Sequence, residues 1–230
     1  MKFFLNMLMR SRIRYRILPL FNQYFLYNRK EEVLNYCFGF LNFAEHKGDY
    51  LEFGVWKGGS LNAAYHLSKK FKNLKSMRFY AFDSFEGLPE IEGTDSELKQ
   101  FGKGEYNCSL DSVKKALKKN GVDLEKITFT KGWYKDTLNQ NTRNNLPIKK
   151  ASLIYVDCDL YDSTVPVLDF VTPYVSDGTI IVFDDWFCFN GRPDKGEQKA
   201  FSEWLEKNPD ISVTEYKQFG WMGNSFILHK

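Results

Sequence analysis

Apolar residues in this chain fall into two alternating patterns, short unbroken runs and longer stretches at helical spacing. Val33, Leu34, Cys37, Phe38, Leu41 and Ala44 recur at intervals of three and four, which predicts a helix from Glu31 to His46. Gly48-Asp49 closes it and leads into a strand at Tyr50-Leu51-Glu52-Phe53. Leu61, Ala64, Tyr65 and Leu67 then continue a helix into Lys69-Lys70, whose charges suit the negative end of a helix dipole. Further strands are predicted at 78–82, 127–130, 151–156 and 179–183. Helices are predicted between them, from Ser109-Leu110-Asp111 to Lys119 and from Ser163-Thr164 to about Val175. The tail reads as a helix over 197–206 and two short strands, 212–216 and 224–228, around Phe219-Gly220-Trp221.

Strands alternating with helices define an α/β chain with a mainly parallel sheet and helices on both faces. Ala151-Ser152-Leu153-Ile154-Tyr155-Val156 is the continuous apolar run expected of a strand buried on both sides. The strand-turn-strand finish adds a C-terminal antiparallel pair at the sheet edge, so the plain doubly wound pattern does not apply. A length of 230 residues suits one such domain, placed over residues 31–230. Residues 1–30 mix apolar, aromatic and basic side chains and read as a separate arm. That arm would pack on the domain, join two copies in a homo-oligomer, or touch a membrane surface.

Composition narrows the function. The hydrophobic fraction of 43% excludes a disordered chain. A net charge of +3, with basic residues spread among nearly as many acids, gives no reason to expect nucleic acid. No apolar run approaches the roughly 20 residues that span a bilayer, and the N-terminus lacks the pattern of a secretory signal. The four cysteines form no C-x-x-C pair, which suits reduced thiols and a cytoplasmic setting. With three histidines, a histidine-rich zinc site is not expected.

The candidate chemistry lies where strands end. Glu52-Phe53-Gly54-Val55-Trp56-Lys57-Gly58-Gly59-Ser60 turns from a strand into a helix through three glycines. Such a turn lets a nucleotide-like ligand approach the backbone. Its spacing is neither the dinucleotide fingerprint nor a phosphate-binding P-loop. An acid ahead of the first glycine suits a ligand with a positive group, such as S-adenosylmethionine. Asp83 ends the second strand, 31 residues beyond Glu52, where an acid meets ribose hydroxyls. Trp133, beyond the third strand, offers a ring for a purine. Asp157 closes the fourth strand and Asp184-Asp185 the fifth. Three carboxylates brought together there require a cation, and oxygen ligands suit Mg²⁺. Residues 90–108 form an irregular loop of the kind that covers a binding site.

These motifs together resemble the macrocin O-methyltransferase (TylF-type) family of class I S-adenosylmethionine-dependent methyltransferases. The matching stretches are 52–60, Asp83-Ser84-Phe85-Glu86-Gly87-Leu88-Pro89, 156–164 and Asp184-Asp185. The resemblance runs from about Glu31 to the C-terminus. It implies a Rossmann-like fold with a seven-stranded sheet and Mg²⁺-dependent methylation of a hydroxyl on a sugar or glycoside, such as a natural product or a surface polysaccharide precursor. It implies cofactor contacts at Glu52, Phe53, Gly54, Val55, Gly59, Ser60, Asp83, Ser84, Phe85, Gly132, Trp133 and Asp157. The metal would be held by Asp157, Asp184 and Asp185, with Asp157 also the base that takes the hydroxyl proton. Cys158 stands where the family pattern has glycine. The rival readings are a nicotinamide-dependent oxidoreductase, disfavoured by the glycine spacing, and a non-catalytic binding protein of the same fold.

Overall fold

The computed structural model describes residues 29–91, 95 and 102–230. Most of the N-terminal arm, and its expected role in assembly, therefore lies outside the described residues. Helix α1 (Arg29–Phe43) leads into β1 (Asp49–Phe53), α2 (Gly59–Lys70) and β2 (Phe79–Asp83). After the 84–109 segment come α3 (Leu110–Lys119), β3 (Ile127–Lys131) and two short helices, α4 (Tyr134–Thr137) and α5 (Gln140–Asn145). The second half contains β4 (Ala151–Val156), α6 (Tyr161–Val171), β5 (Thr179–Phe183), α7 (Gly196–Lys207), β6 (Ser212–Glu215) and β7 (Asn224–His229).

The strands form one seven-stranded sheet in the order β3-β2-β1-β4-β5-β7-β6. The first five neighbours pair in parallel, and β7 lies antiparallel to both β5 and β6. The expected antiparallel pair is thus present, with its second strand inserted between β5 and β6. All six residues of β4 are buried, as a strand between β1 and β5 with helices on each face requires.

Period-two alternation sorts the strand side chains into two cores. Tyr50, Phe79, Ala81, Leu153, Tyr155, Ile180 and Val182 join the apolar faces of α1, α2 and α3. Leu51, Phe53, Tyr80, Phe82, Ile154, Val156, Ile181 and Phe183 join those of α6 and α7. Each helix contributes a stripe at helical spacing: Val33, Leu34, Cys37, Phe38 and Leu41 on α1, and Ala200, Phe201 and Trp204 on α7. Between β1 and β4 the strand order reverses direction. That switch point, beyond the carboxyl ends of the strands, is where open parallel sheets take ligands.

Candidate active site

A cavity of about 1300 Å³ opens at this switch point. Gly54, Asp83, Ser84, Gly132, Trp133, Asp157, Asp184 and Asp185 all line it, so strand ends up to 131 residues apart in the chain meet in one place. Trp56, Tyr106, Lys30, Asp159 and Trp221 complete much of the wall.

The glycine turn is shaped by two carboxylates, one buried and one half-buried. Gly54 has φ 89, and a Cβ placed there would lie 1.7 Å from the Asp157 carbonyl oxygen, so the ends of β1 and β4 touch through it. Glu52 is fully buried beneath the turn. Tyr50 donates its hydroxyl to Glu52 Oε2 at 2.5 Å and Ser60 donates to Oε1 at 2.8 Å. Burial pushes the Glu52 carboxyl up to about 7, against the pull of those two donors. Asp83 fixes the turn from the other side. Its Oδ2 accepts from the backbone N–H of Val55 at 2.6 Å and of Trp56 at 3.1 Å, while Oδ1 accepts from Phe85 N–H at 2.6 Å. Ser84 donates to the Gly87 carbonyl and accepts from Glu86 N–H. Gly132, with φ 141, donates its N–H to the Asp83 carbonyl and carries Trp133 to the cavity wall.

Six of the residues expected to touch the cofactor do not line the cavity. Glu52, Phe53, Val55, Ser60 and Phe85 are buried behind the turn, and Gly59 is exposed on the first turn of α2. Their geometry builds the cradle rather than its lining. Strand alternation explains this in part: Phe53 joins the core with Phe82 and Phe170, its ring 4.7 Å from that of Phe82.

The opposite wall is acidic. One carboxylate oxygen from each of Asp157, Asp184 and Asp185 lies within 4.8 Å of the other two. Tyr155, which points from β4 to the same wall, donates to Asp184 Oδ1 at 2.8 Å. Asp185 accepts from the Cys188 thiol at 3.2 Å, and its backbone N–H donates to Glu197 Oε2 at 3.1 Å. Among the described residues, Asp185 Oδ2 and Glu197 Oε1 are buried with no hydrogen-bond partner. Burial and mutual repulsion push Asp157, Asp185 and Glu197 well above the ordinary carboxylate range, with the Lys30 charge opposing this at Asp157 and Asp185.

Such a donor set fits a hard divalent cation: three carboxylates converge, further oxygens stand behind them, and negative charge is in excess. An ammonium already answers part of that charge. Lys30 Nζ lies 2.7 Å from Asp157 Oδ2 and 2.8 Å from Asp184 Oδ2. Burial alone would lower the Lys30 pKa, but the two acids overcome it and hold the amine charged.

Lys30, Asp159 and Glu197 were not singled out from the sequence. Asp159 had a local signal, since it follows Asp157 by two residues in the turn after a buried strand. It has φ 60, so the left-handed residue of this turn is Asp159 and not Cys158. Cys158 is buried instead, its thiol 3.6 Å from Thr164 Oγ1, and its side chain needs no special backbone. Burial, with repulsion from Asp157, pushes the Asp159 carboxyl up to about 7.

The fold and this site together define a class I methyltransferase-type architecture with an acidic wall beside the glycine turn. The chain belongs to the macrocin O-methyltransferase (TylF) family, whose model matches residues 14–200. It is 32% identical over 145 residues to an 8-demethyl-8-(2,3-dimethoxy-alpha-L-rhamnosyl)-tetracenomycin-C 4'-O-methyltransferase of Streptomyces olivaceus, covering 60% of this chain and 53% of that protein. It is 29% identical over 146 residues to the mycinamicin III 3''-O-methyltransferase of Micromonospora griseorubida, covering 60% and 55%. The chain thus spans about half the length of the curated relatives it matches. Its fold is similar to that of the O-methyltransferase NovP, with a TM-score of 0.71 at 22% identity over 87% of this chain and 79% of that one. The family match begins ahead of the resemblance expected from Glu31 and stops short of the last strands.

Proposed function

We propose that this chain is an S-adenosylmethionine-dependent, Mg²⁺-dependent O-methyltransferase that acts on a hydroxyl of a sugar or glycoside. One observation carries the reading: the glycine-turn cradle and the three-acid wall share a single cavity of about 1300 Å³, roomy enough for a nucleoside cofactor and an acceptor side by side. The family match and the sugar O-methyltransferases named above support the acceptor class. Four free cysteines are in keeping with a reducing, cytoplasmic setting, and among the described residues no helix is long and apolar enough to cross a membrane. Assembly into a homo-oligomer, with residues 1–30 contributing, belongs to the same proposal.

Asp157, Asp184 and Asp185 would hold the cation, and Gly54, Asp83, Ser84 and Trp133 would bound the cofactor. Bound there, the ion would favour the ionised form of an acceptor hydroxyl, and the cofactor would supply the methyl group. The chain's own contribution is to hold both partners in line and to exclude water. The family resemblance implies that Asp157 takes the hydroxyl proton. In the structure Asp157 is one of three carboxylates whose oxygens converge, whereas Asp159 lines the same cavity outside that triad. A carboxylate whose lone pairs face a cation is a poor proton acceptor, so we place the proton on Asp159.

Calorimetric titration with S-adenosylmethionine and S-adenosylhomocysteine, each with and without Mg²⁺, tests the cofactor half. Micromolar binding supports the reading and leads to a screen of glycoside acceptors by product mass. No heat from either, in folded protein, overturns it.

A further inference from the structure

Lys30 stands at the start of α1, and its side chain crosses to the acidic wall. The ion pair with Asp157 joins residues 127 apart in sequence, so no local pattern places it there. Its amine takes one oxygen from each of two triad members, at 2.7 and 2.8 Å. These are charge-assisted contacts of full strength. A divalent cation at the triad would need oxygens of the same two carboxylates and would meet the ammonium as a like charge.

Resting on the metal-dependent reading above, we propose that Lys30 and the divalent cation are alternative occupants of the triad. Lys30 sets the metal affinity of the site, and loading requires its ammonium to leave Asp157 and Asp184. Without metal, Lys30 offsets the repulsion among three crowded acids. With metal, that service is redundant. The displaced side chain has somewhere to go. A second cavity, of about 170 Å³, adjoins the first and is lined by Lys30, Asp184, Asp185, Trp221 and Met222. The Lys30 side chain as a whole is 38% exposed, so exchange does not require the helix to unfold.

Two measurements on the full chain test this. Mn²⁺ affinity, read from the electron-paramagnetic-resonance signal of free Mn²⁺, is compared between wild type and Lys30→Met. Removing the competitor should tighten binding by about tenfold or more, within the usual span of a lost charge-assisted contact. Equal or weaker binding in the variant overturns the proposal while leaving the metal site standing. No Mn²⁺ binding by either protein at millimolar concentration overturns the metal reading and the proposal with it. The second measurement needs no variant. Acetylation of Lys30 is followed by mass spectrometry with and without saturating Mg²⁺, using exposed Lys119 on α3 as internal reference. Severalfold faster labelling of Lys30 with Mg²⁺ supports displacement; an unchanged ratio to Lys119 sinks it.

Discussion

Gly54 and Asp157 are in backbone contact: the Cβ that Gly54 lacks would sit 1.7 Å from the Asp157 carbonyl oxygen. The contact joins the end of β1 to the end of β4, and so joins the glycine turn to the first acid of the triad. Asp157 also donates its N–H to the Phe53 carbonyl at 2.8 Å, which holds the two strand ends at this spacing. Gly54→Ala must either separate the strands or give up its φ of 89. We expect a loss of roughly 3 kcal/mol or more, seen as a fall in Tm of about 6 °C or more. Gly59 belongs to the same motif but has nothing within 4 Å of its missing Cβ and an ordinary φ. Gly59→Ala should stay within about 1 kcal/mol of wild type. Equal Tm shifts for the two variants would contradict this assignment of the glycines.

Asp83 holds the backbone of the glycine turn, whatever it meets in the cavity. Its two oxygens accept three backbone N–H groups, from Val55, Trp56 and Phe85. Asp83→Ala leaves all three donors without that partner. It should cost about 2 kcal/mol of stability in urea unfolding as well as cofactor affinity. Asp83→Asn retains the acceptor oxygen for part of this network and should recover about half of the stability. A variant that loses S-adenosylhomocysteine binding with an unchanged urea midpoint would reduce Asp83 to a ligand contact.

Much of the frame could be read from the chain because its signals are local. Strands β4 and β5 fall where their unbroken apolar runs place them, residue for residue. The acids at their ends follow from that placement. Other features carry no such signal. The sequence does not announce helices α4 and α5, and α5 shows why: Gln140-Asn141-Thr142-Arg143-Asn144-Asn145 has no apolar stripe. It begins because the Asn139 side chain accepts the Thr142 N–H, a capping contact that a polar stretch does not advertise. Helix α6 starts at Tyr161 rather than Ser163, since Leu160 takes the cap position without a side-chain bond. The burial of Glu52 was hidden by its own charge. The hydroxyls of Tyr50, two residues back on the same strand face, and of Ser60, eight residues on, make that burial tolerable. By sequence Lys30 falls in the arm, because an ion pair across 127 residues is a property of the fold alone.

Asp157 and Asp159 should separate in mutagenesis. Asp157→Asn removes a charged oxygen from the triad and should weaken Mn²⁺ binding by about tenfold or more. Asp159→Asn should leave Mn²⁺ and S-adenosylhomocysteine affinities within about threefold of wild type. Its kcat on a glycoside acceptor should fall by at least about 100-fold, the usual worth of a general base. Near-normal turnover in Asp159→Asn would return the proton to Asp157.

His46 gives the fold a pH dependence outside the cavity. It follows α1, with Nδ1 3.0 Å from Ser152 Oγ and Nε2 3.5 Å from Ser176 Oγ. Burial, with the nearby Lys150 charge, lowers its pKa from 6.5 to about 4. Between those values the unfolded chain binds a proton that the folded chain refuses, so each drop in pH through the window favours unfolding. Full expression of the difference amounts to about 2 to 3 kcal/mol lost between pH 7 and pH 4. Glu52 and Asp159, both raised to about 7, act in the opposite sense as pH falls, because there the folded chain binds more protons. The wild-type curve therefore mixes the two effects, and the difference from His46→Gln isolates one of them. We expect the stability gap between wild type and His46→Gln, from urea unfolding at pH 7 and pH 4.5, to shift by about 2 kcal/mol against the wild type at the lower pH. A gap that stays constant across those pH values would mean that His46 titrates alike in both states.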